Sequence, residues 1–172
     1  DDVWLPHHLQ DFLAIAKDVD GLVLFGGLMG RFGEPDNLIL PDSARLFTDF
    51  VRVNNSEISV RPMGPINLPF YTPSMSQSIV ESESARRTLF DEDLPGREDI
   101  HFVWRMGQLG NIALHHKVHG FADQLETSLF SVMDNARAVD KLRMNLKKVH
   151  CGVIMLEKMT AEYPLSEGMK NA

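Results

Sequence analysis

Three histidines within five residues, His115-His116-x-x-His119, are the side chains of this sequence best suited to chemistry. Imidazole is the commonest protein ligand for transition metals and titrates near neutral pH. On a helix, His115 and His119 would share a face at the spacing metal ligands use. On a strand they would still share a face, but about 13 Å apart along it at roughly 3.3 Å per residue. A fourth histidine, His101, lies upstream among apolar residues.

The flanking pattern favours the strand. Ile100, Phe102, Trp104 and Met106 alternate with His101, Val103 and Arg105, and Ile112, Leu114, His116 and Val118 alternate with Ala113, His115, Lys117 and His119. Gly107 and Gly110 bracket Gln108-Leu109, where a turn with positive φ costs little. The expectation is a β-hairpin in which His101 opposes His116 and Trp104 opposes Ala113. Cross-strand neighbours stand about 5 Å apart at Cβ, so His101 and His116 become the expected metal or polar-ligand pair. His101, Trp104, Arg105, His115 and His116 become the expected ligand-binding set. The competing reading, and the commoner outcome, is half-buried histidines with no ligand. Both hairpin faces carry apolar residues, which predicts a sheet covered at least partly on both sides.

Other chemistries fit less well. A haem needs a histidine over a roomy apolar pocket, and His101, His115 and His116 qualify only by position. A covalent bilin needs a cysteine in the pocket, and Cys151 lies far down the chain. His119 precedes a helical pattern, as a phosphoacceptor histidine would, but the proline expected after it is absent. Gly26, Gly27, Gly30 and Gly33 suggest a phosphate loop, but no G-K-[ST] follows, so tight turns explain them better. No Ser-His-Asp set or paired carboxylate can be assembled from local motifs.

The elements that must position these residues follow from periodicity. Leu9, Phe12, Leu13, Ala16 and Val19 predict a helix over 7–19, ended by Asp20-Gly21. Leu22–Phe25 and Asn37–Leu40 read as short strands with an irregular glycine-rich stretch between them. Asp42 or Ser43 caps a helix expected to run through about Val53, and 58–60 alternates as a strand. Pro65, Pro69 and Pro73 make 63–76 an extended loop, and 78–94 is expected to be helical in its second half. From Phe121 the period changes. Leu125, Leu129, Val132, Ala136, Val139, Leu142, Leu146, Val149, Val153 and Leu156 step by three or four. That is close to a coiled-coil seam, and a single long core helix is the equally weighted alternative. Leu125, Leu129, Val132, Val139, Leu142 and Leu146 are the expected dimerisation residues. Gly152 is a possible break in that helix.

Composition bounds the rest. The chain of 172 residues is 44% hydrophobic, enough for a real core, and carries a net charge of −7. An acidic chain makes nucleic acid an unexpected partner, because phosphate binding needs a basic surface. One cysteine excludes an internal disulfide and a multi-cysteine zinc site, and fits a cytoplasmic location. No apolar run approaches the roughly 18 residues of a membrane helix, so no membrane partner is expected. The chain opens at Asp1 rather than Met, as an excised or processed piece would.

The stretch Gly107-Gln108-Leu109-Gly110-Asn111-Ile112-Ala113-Leu114-His115, followed by Phe121-Ala122-Asp123 and Asp134-Asn135-Ala136-Arg137, resembles the C-terminal half of a GAF domain. Gly27-Leu28-Met29-Gly30-Arg31-Phe32 through Leu38-Ile39-Leu40-Pro41-Asp42 is similar to that family's G-x-x-G helix and the strand ending in Pro-Asp. The resemblance implies an α+β fold: a GAF-like antiparallel sheet with helices packed on it and a long C-terminal helix. It further implies a small-molecule ligand and a homodimer built on terminal helices. A GAF-like methionine-sulfoxide reductase would need several redox cysteines, which a single Cys151 does not supply.

These readings combine into an α+β core over 1–120, a long helix over 121–162 that packs on it and can dimerise, and a tail over 163–172. The leading function is a sensory domain that couples small-molecule binding, of unknown cofactor identity, to that helix. The alternatives are an assembly subunit without a ligand and a small histidine-dependent enzyme.

Overall fold

The computed structural model describes residues 2–31, 34–38, 51–52, 57–64, 74–122 and 137–162. Its organising element is β2 (Leu22–Arg31), ten residues whose interior positions are all buried. Such a strand needs cover on both faces, and it has it. β2 runs parallel to β7 (Asn111–Ala122), and these two form the centre of the sheet in the order β3-β2-β7-β5-β4. Antiparallel neighbours flank the pair: β3 (Glu34–Leu38) on β2, β5 (Ile58–Arg61) on β7, and β4 (Val51–Arg52) outside β5. Two short strands complete the edges, β1 (Val3–Trp4) against the end of β7 and β6 (Ser78–Val80) against the start of β2.

Four helices are seen among the described residues. α1 (His8–Asp18) lies on one face, where Phe12, Ile15 and Val19 pack with Phe25 and Ala113. α3 (Glu98–Leu109) covers the other, where Phe102, Val103 and Met106 pack with Leu24 and Ile112. The short α2 (Ser82–Thr88) sits beside α3, its N-terminus capped by the Glu81 carboxylate, which accepts from the amides of Glu83 and Ser84. α4 (Ala138–Glu162) packs on α3 through Met155 and Met159, which close over Trp104 and Leu94. The mixed α+β architecture, the doubly covered sheet and the long C-terminal helix agree with the sequence reading, but the expected antiparallel sheet does not form, because its central pair β2–β7 is parallel.

Several local expectations are corrected. The hairpin does not form: 98–109 is helical, and only its second half, β7, is a strand. Buried residues on α3 include His101, Phe102, Val103, Trp104, Met106 and Gly107, so the apolar side chains nearly encircle it and mimic alternation. Gly26, Gly27 and Gly30 do not interrupt β2, and Gly27–Arg31 is strand rather than the G-x-x-G helix. A Cβ on Gly27 would lie 2.2 Å from the His119 ring and one on Gly30 2.8 Å from the Phe121 ring, both too close, so these glycines make room for neighbours. Val51–Arg52 is strand, where a helix was expected. The helical segment of 78–94 comes early, after the unforeseen β6. Phe121 and Ala122 end β7 rather than starting a helix, and Gly152 does not break α4. Most of the helix expected over 42–53, most of the proline-rich loop, and Leu125, Leu129 and Val132 lie outside the described residues.

Candidate histidine site between β7 and α1

Strand β7 is bulged where the histidines fall. Gly27 pairs with His115 and Leu28 already pairs with Val118, so β7 spends extra residues on this step of β2. A regular strand would hold His115 and His119 far apart. The bulge instead brings His119 Nε2 to 2.8 Å from His115 Nδ1. The H-H-x-x-H spacing therefore does gather two imidazoles, contrary to the expectation for a strand. The room for the His119 ring comes from the bare Cα of Gly27 on the neighbouring strand.

The first turn of α1 completes the cluster. His8 Nδ1 stands 2.9 Å from His119 Nδ1, and His7 Nε2 stands 2.9 Å from the Val118 carbonyl, to which it donates. Asp11 Oδ2 lies 3.7 Å from His115 Nδ1 and 3.9 Å from His119 Nε2, and accepts from the Lys117 ammonium at 3.1 Å. The exposed Glu57 carboxylate is 3.8 Å from His115 Nε2. Phe25 closes the floor, its ring 5.4 Å from that of His119.

Burial sets the charge state. His119 is fully buried, and desolvation, helped by neighbouring His115, His8 and His7, pushes its pKa down to about 3. Burial likewise lowers His115 and His8. For Asp11 burial pulls upward, but the hydrogen bond and charge of Lys117 and the nearby histidines outweigh it and hold the carboxyl below its ordinary value. At neutral pH His8, His115 and His119 are thus neutral imidazoles beside one carboxylate.

A second cluster lies between α3 and α4. His101 is buried with Nδ1 3.8 Å from Asp91 and Nε2 3.6 Å from Glu162. Glu162 also meets Arg105 at 3.5 Å, and Lys158 donates to both Asp91 oxygens at 2.9 and 2.8 Å. Asp91, His101 and Glu162 could gather at a metal. However, His101 turns a different nitrogen toward each carboxylate, and the Lys158 ammonium already neutralises Asp91. This cluster reads as a polar latch that holds the end of α4 on α3. Burial lowers the pKa of His101 despite Glu162, so it sits in the latch as a neutral ring.

The expected ligand-binding set is therefore dispersed. His101, Trp104 and Arg105 belong to the α3–α4 contact, with Trp104 stacked on His101 at 5.9 Å. His115 faces α1, while His116 bonds to Ser59 Oγ at 2.7 Å. His101 and His116 do not pair, because the hairpin that would oppose them is absent. Sequence reasoning missed His7, His8 and Asp11. The one local signal was His7-x-x-x-Asp11 at the start of a predicted helix, which repeats the spacing of His115 and His119. No family model, curated protein or solved structure matches the chain.

Proposed function

We propose that this chain is a cytoplasmic sensory or regulatory domain of GAF-like type, in which binding of a small ligand is coupled to a C-terminal helix that pairs with a second copy. The observation that carries this reading is the outer face of α4. Val139, Leu142, Leu146, Val149, Val153 and Leu156 step by three and four in strict alternation, and each is 38–64% exposed. The opposite face of the same helix, Cys151, Met155 and Met159, is buried. A mean step of 3.5 is the period at which one helix keeps its apolar stripe against a left-handed supercoiled partner. The stripe is about 26 Å long at 1.5 Å per residue. An identical helix is the partner that this spacing fits, since the same six residues supply both knobs and holes.

Two features support the ligand half of the reading. The histidine cluster sits on β7, the strand that precedes α4 in the chain. A half-open groove of about 340 Å³ also runs between α1 and the sheet, lined by Phe12, Val19, Leu22, Ile79 and Glu81 among others. Coupling would work through unequal affinity of the ligand for two arrangements of the helix, since that difference is all a ligand can transmit. No helix among the described residues is long and apolar enough to cross a membrane.

Sedimentation velocity over a range of concentrations tests the proposal. The wild-type chain is expected to dimerise. Leu142→Asp combined with Leu146→Asp is expected to give a monomer with unchanged far-ultraviolet circular dichroism. A wild-type chain that stays monomeric at high concentration overturns the pairing. A dimer that no bound molecule alters favours the assembly-subunit reading.

A further inference from the structure

We propose that His7, Asp11, His115 and His119 form a binding site for a divalent first-row transition metal, with zinc the best fit. One ligand atom from each of His7, Asp11 and His119 lies within 4.8 Å of the others. His115 adds a fourth, 2.8 Å from His119 and 3.7 Å from Asp11. A tetrahedral ion with bonds of about 2.0 Å needs ligand atoms about 3.3 Å apart. The His115–His119 contact must open slightly and the two contacts to Asp11, at 3.7 and 3.9 Å, must close slightly. Three imidazoles and one carboxylate form a borderline donor set, which selects zinc, cobalt, nickel or copper over magnesium or calcium.

The stronger argument lies behind the ligands. A coordinating histidine usually gives its second ring N–H to a carbonyl, a carboxylate or another acceptor, which fixes the tautomer. His7 and His119 have such a partner at hydrogen-bond distance, and His115 has a carboxylate 3.8 Å from its outer nitrogen. His7 donates from Nε2 to the Val118 carbonyl, which leaves a lone pair on Nδ1. His119 reaches His8 through Nδ1, leaving Nε2 for the metal. His115 faces the Glu57 carboxylate through Nε2, leaving Nδ1 on the side of His119 and Asp11. His8 then acts as an acceptor behind the site. Its own Nε2 is buried and makes no hydrogen bond, so packing against Trp4 and Phe25 is what holds its ring.

One ring proton lies between His119 Nε2 and His115 Nδ1 at 2.8 Å, and it must leave or move to the far nitrogen of its ring when the ion takes both lone pairs. Lys117 competes for Asp11, but it is 44% exposed, and its ammonium can swing into water when a dication replaces it. The latch at His101 lacks these properties, because its imidazole is turned toward two separate carboxylates.

The site stands apart from the α4 seam, since α1 and α3 cover opposite faces of the sheet. Its test reads metal uptake directly, so its failure and the failure of α4 pairing are distinguishable. The chelator-treated full chain is titrated with Zn²⁺ by calorimetry, and with Co²⁺ followed by visible absorption. The expected result is one ion per chain and the intense visible bands of tetrahedral cobalt. His7→Ala and Asp11→Asn, both on the partly exposed first turn of α1, should each weaken Zn²⁺ binding at least tenfold with the circular dichroism unchanged. No stoichiometric uptake by the folded chain overturns the proposal. So does uptake that survives both substitutions, since the ion would then sit elsewhere.

Discussion

A neutral imidazole buried without water stores a dependence on acid. In the unfolded chain a histidine takes up a proton near pH 6.5. Folded His119 does so only near pH 3, and His8, His101 and His115 are lowered in the same direction. The unfolded state therefore binds more protons below pH 6.5. Their contribution to stability is complete above that value and is lost as the pH falls below it, for His119 down to about 3 and for the others through their own lowered values. The limiting slope is about 1.4 kcal/mol per pH unit for each such group. Urea unfolding at pH 7 and pH 5 should show a clear drop in midpoint at the lower pH, and an unchanged midpoint would mean that these rings are already charged or solvated. Gly27→Ala tests the same site sterically. The added methyl must displace the His119 ring, so a loss of about 1–3 kcal/mol is expected in thermal or chemical unfolding. At this scale the sequence was half legible. The H-H-x-x-H run marked the right strand, but His8 and His119 are 111 positions apart, and nothing local joins α1 to β7.

Elements were legible where one period dominated. α1 repeats cleanly every three to four residues and forms within a residue or so of where its pattern puts it. β5 and β7 alternate and are strands. α3 was misread because it is packed on several sides at once, which erases the helical signature that a single wet face would leave. The overlooked signal was its start: Glu98 and Asp99 fall in the first turn, where the helix dipole favours acids. β2 was cut short because the adjacent Gly26 and Gly27 resemble a turn in isolation, whereas Gly27 and Gly30 admit the His119 and Phe121 rings from the next strand. α4 offers a test at this scale. Met155 closes the contact with Trp104 and Leu94, so Met155→Ala should cost about 2–5 kcal/mol in a folding titration. Lys158→Gln removes the cation from the latch at Asp91. Amide exchange should then quicken in the last turns of α4 and stay unchanged in β2, and uniform exchange behaviour would argue against a separable latch.

For the molecule as a whole, pairing through α4 would make stability a function of concentration. The melting temperature is then expected to rise as the protein is concentrated, and the Leu142→Asp, Leu146→Asp chain should show no such rise. A wild-type melting temperature independent of concentration would count against the shared seam. The α+β class was legible because helical and strand periods both occur along the chain. The strand order was not, because it depends on partners that periodicity does not name. β2 finds its central neighbour across most of the described chain, and Asn111 returns to bond the Asp20 carbonyl 91 positions earlier. That pairing carries a kinetic consequence. The middle of the sheet cannot close as its first strand emerges, because the complementary strand is still to come. Until then a ten-residue apolar segment waits with its amides unpaired on that side. Loops this long are slow to close, so folding should be governed by one late, long-range search and not by local zippering. The waiting strand is the segment most exposed to misassociation while that search proceeds.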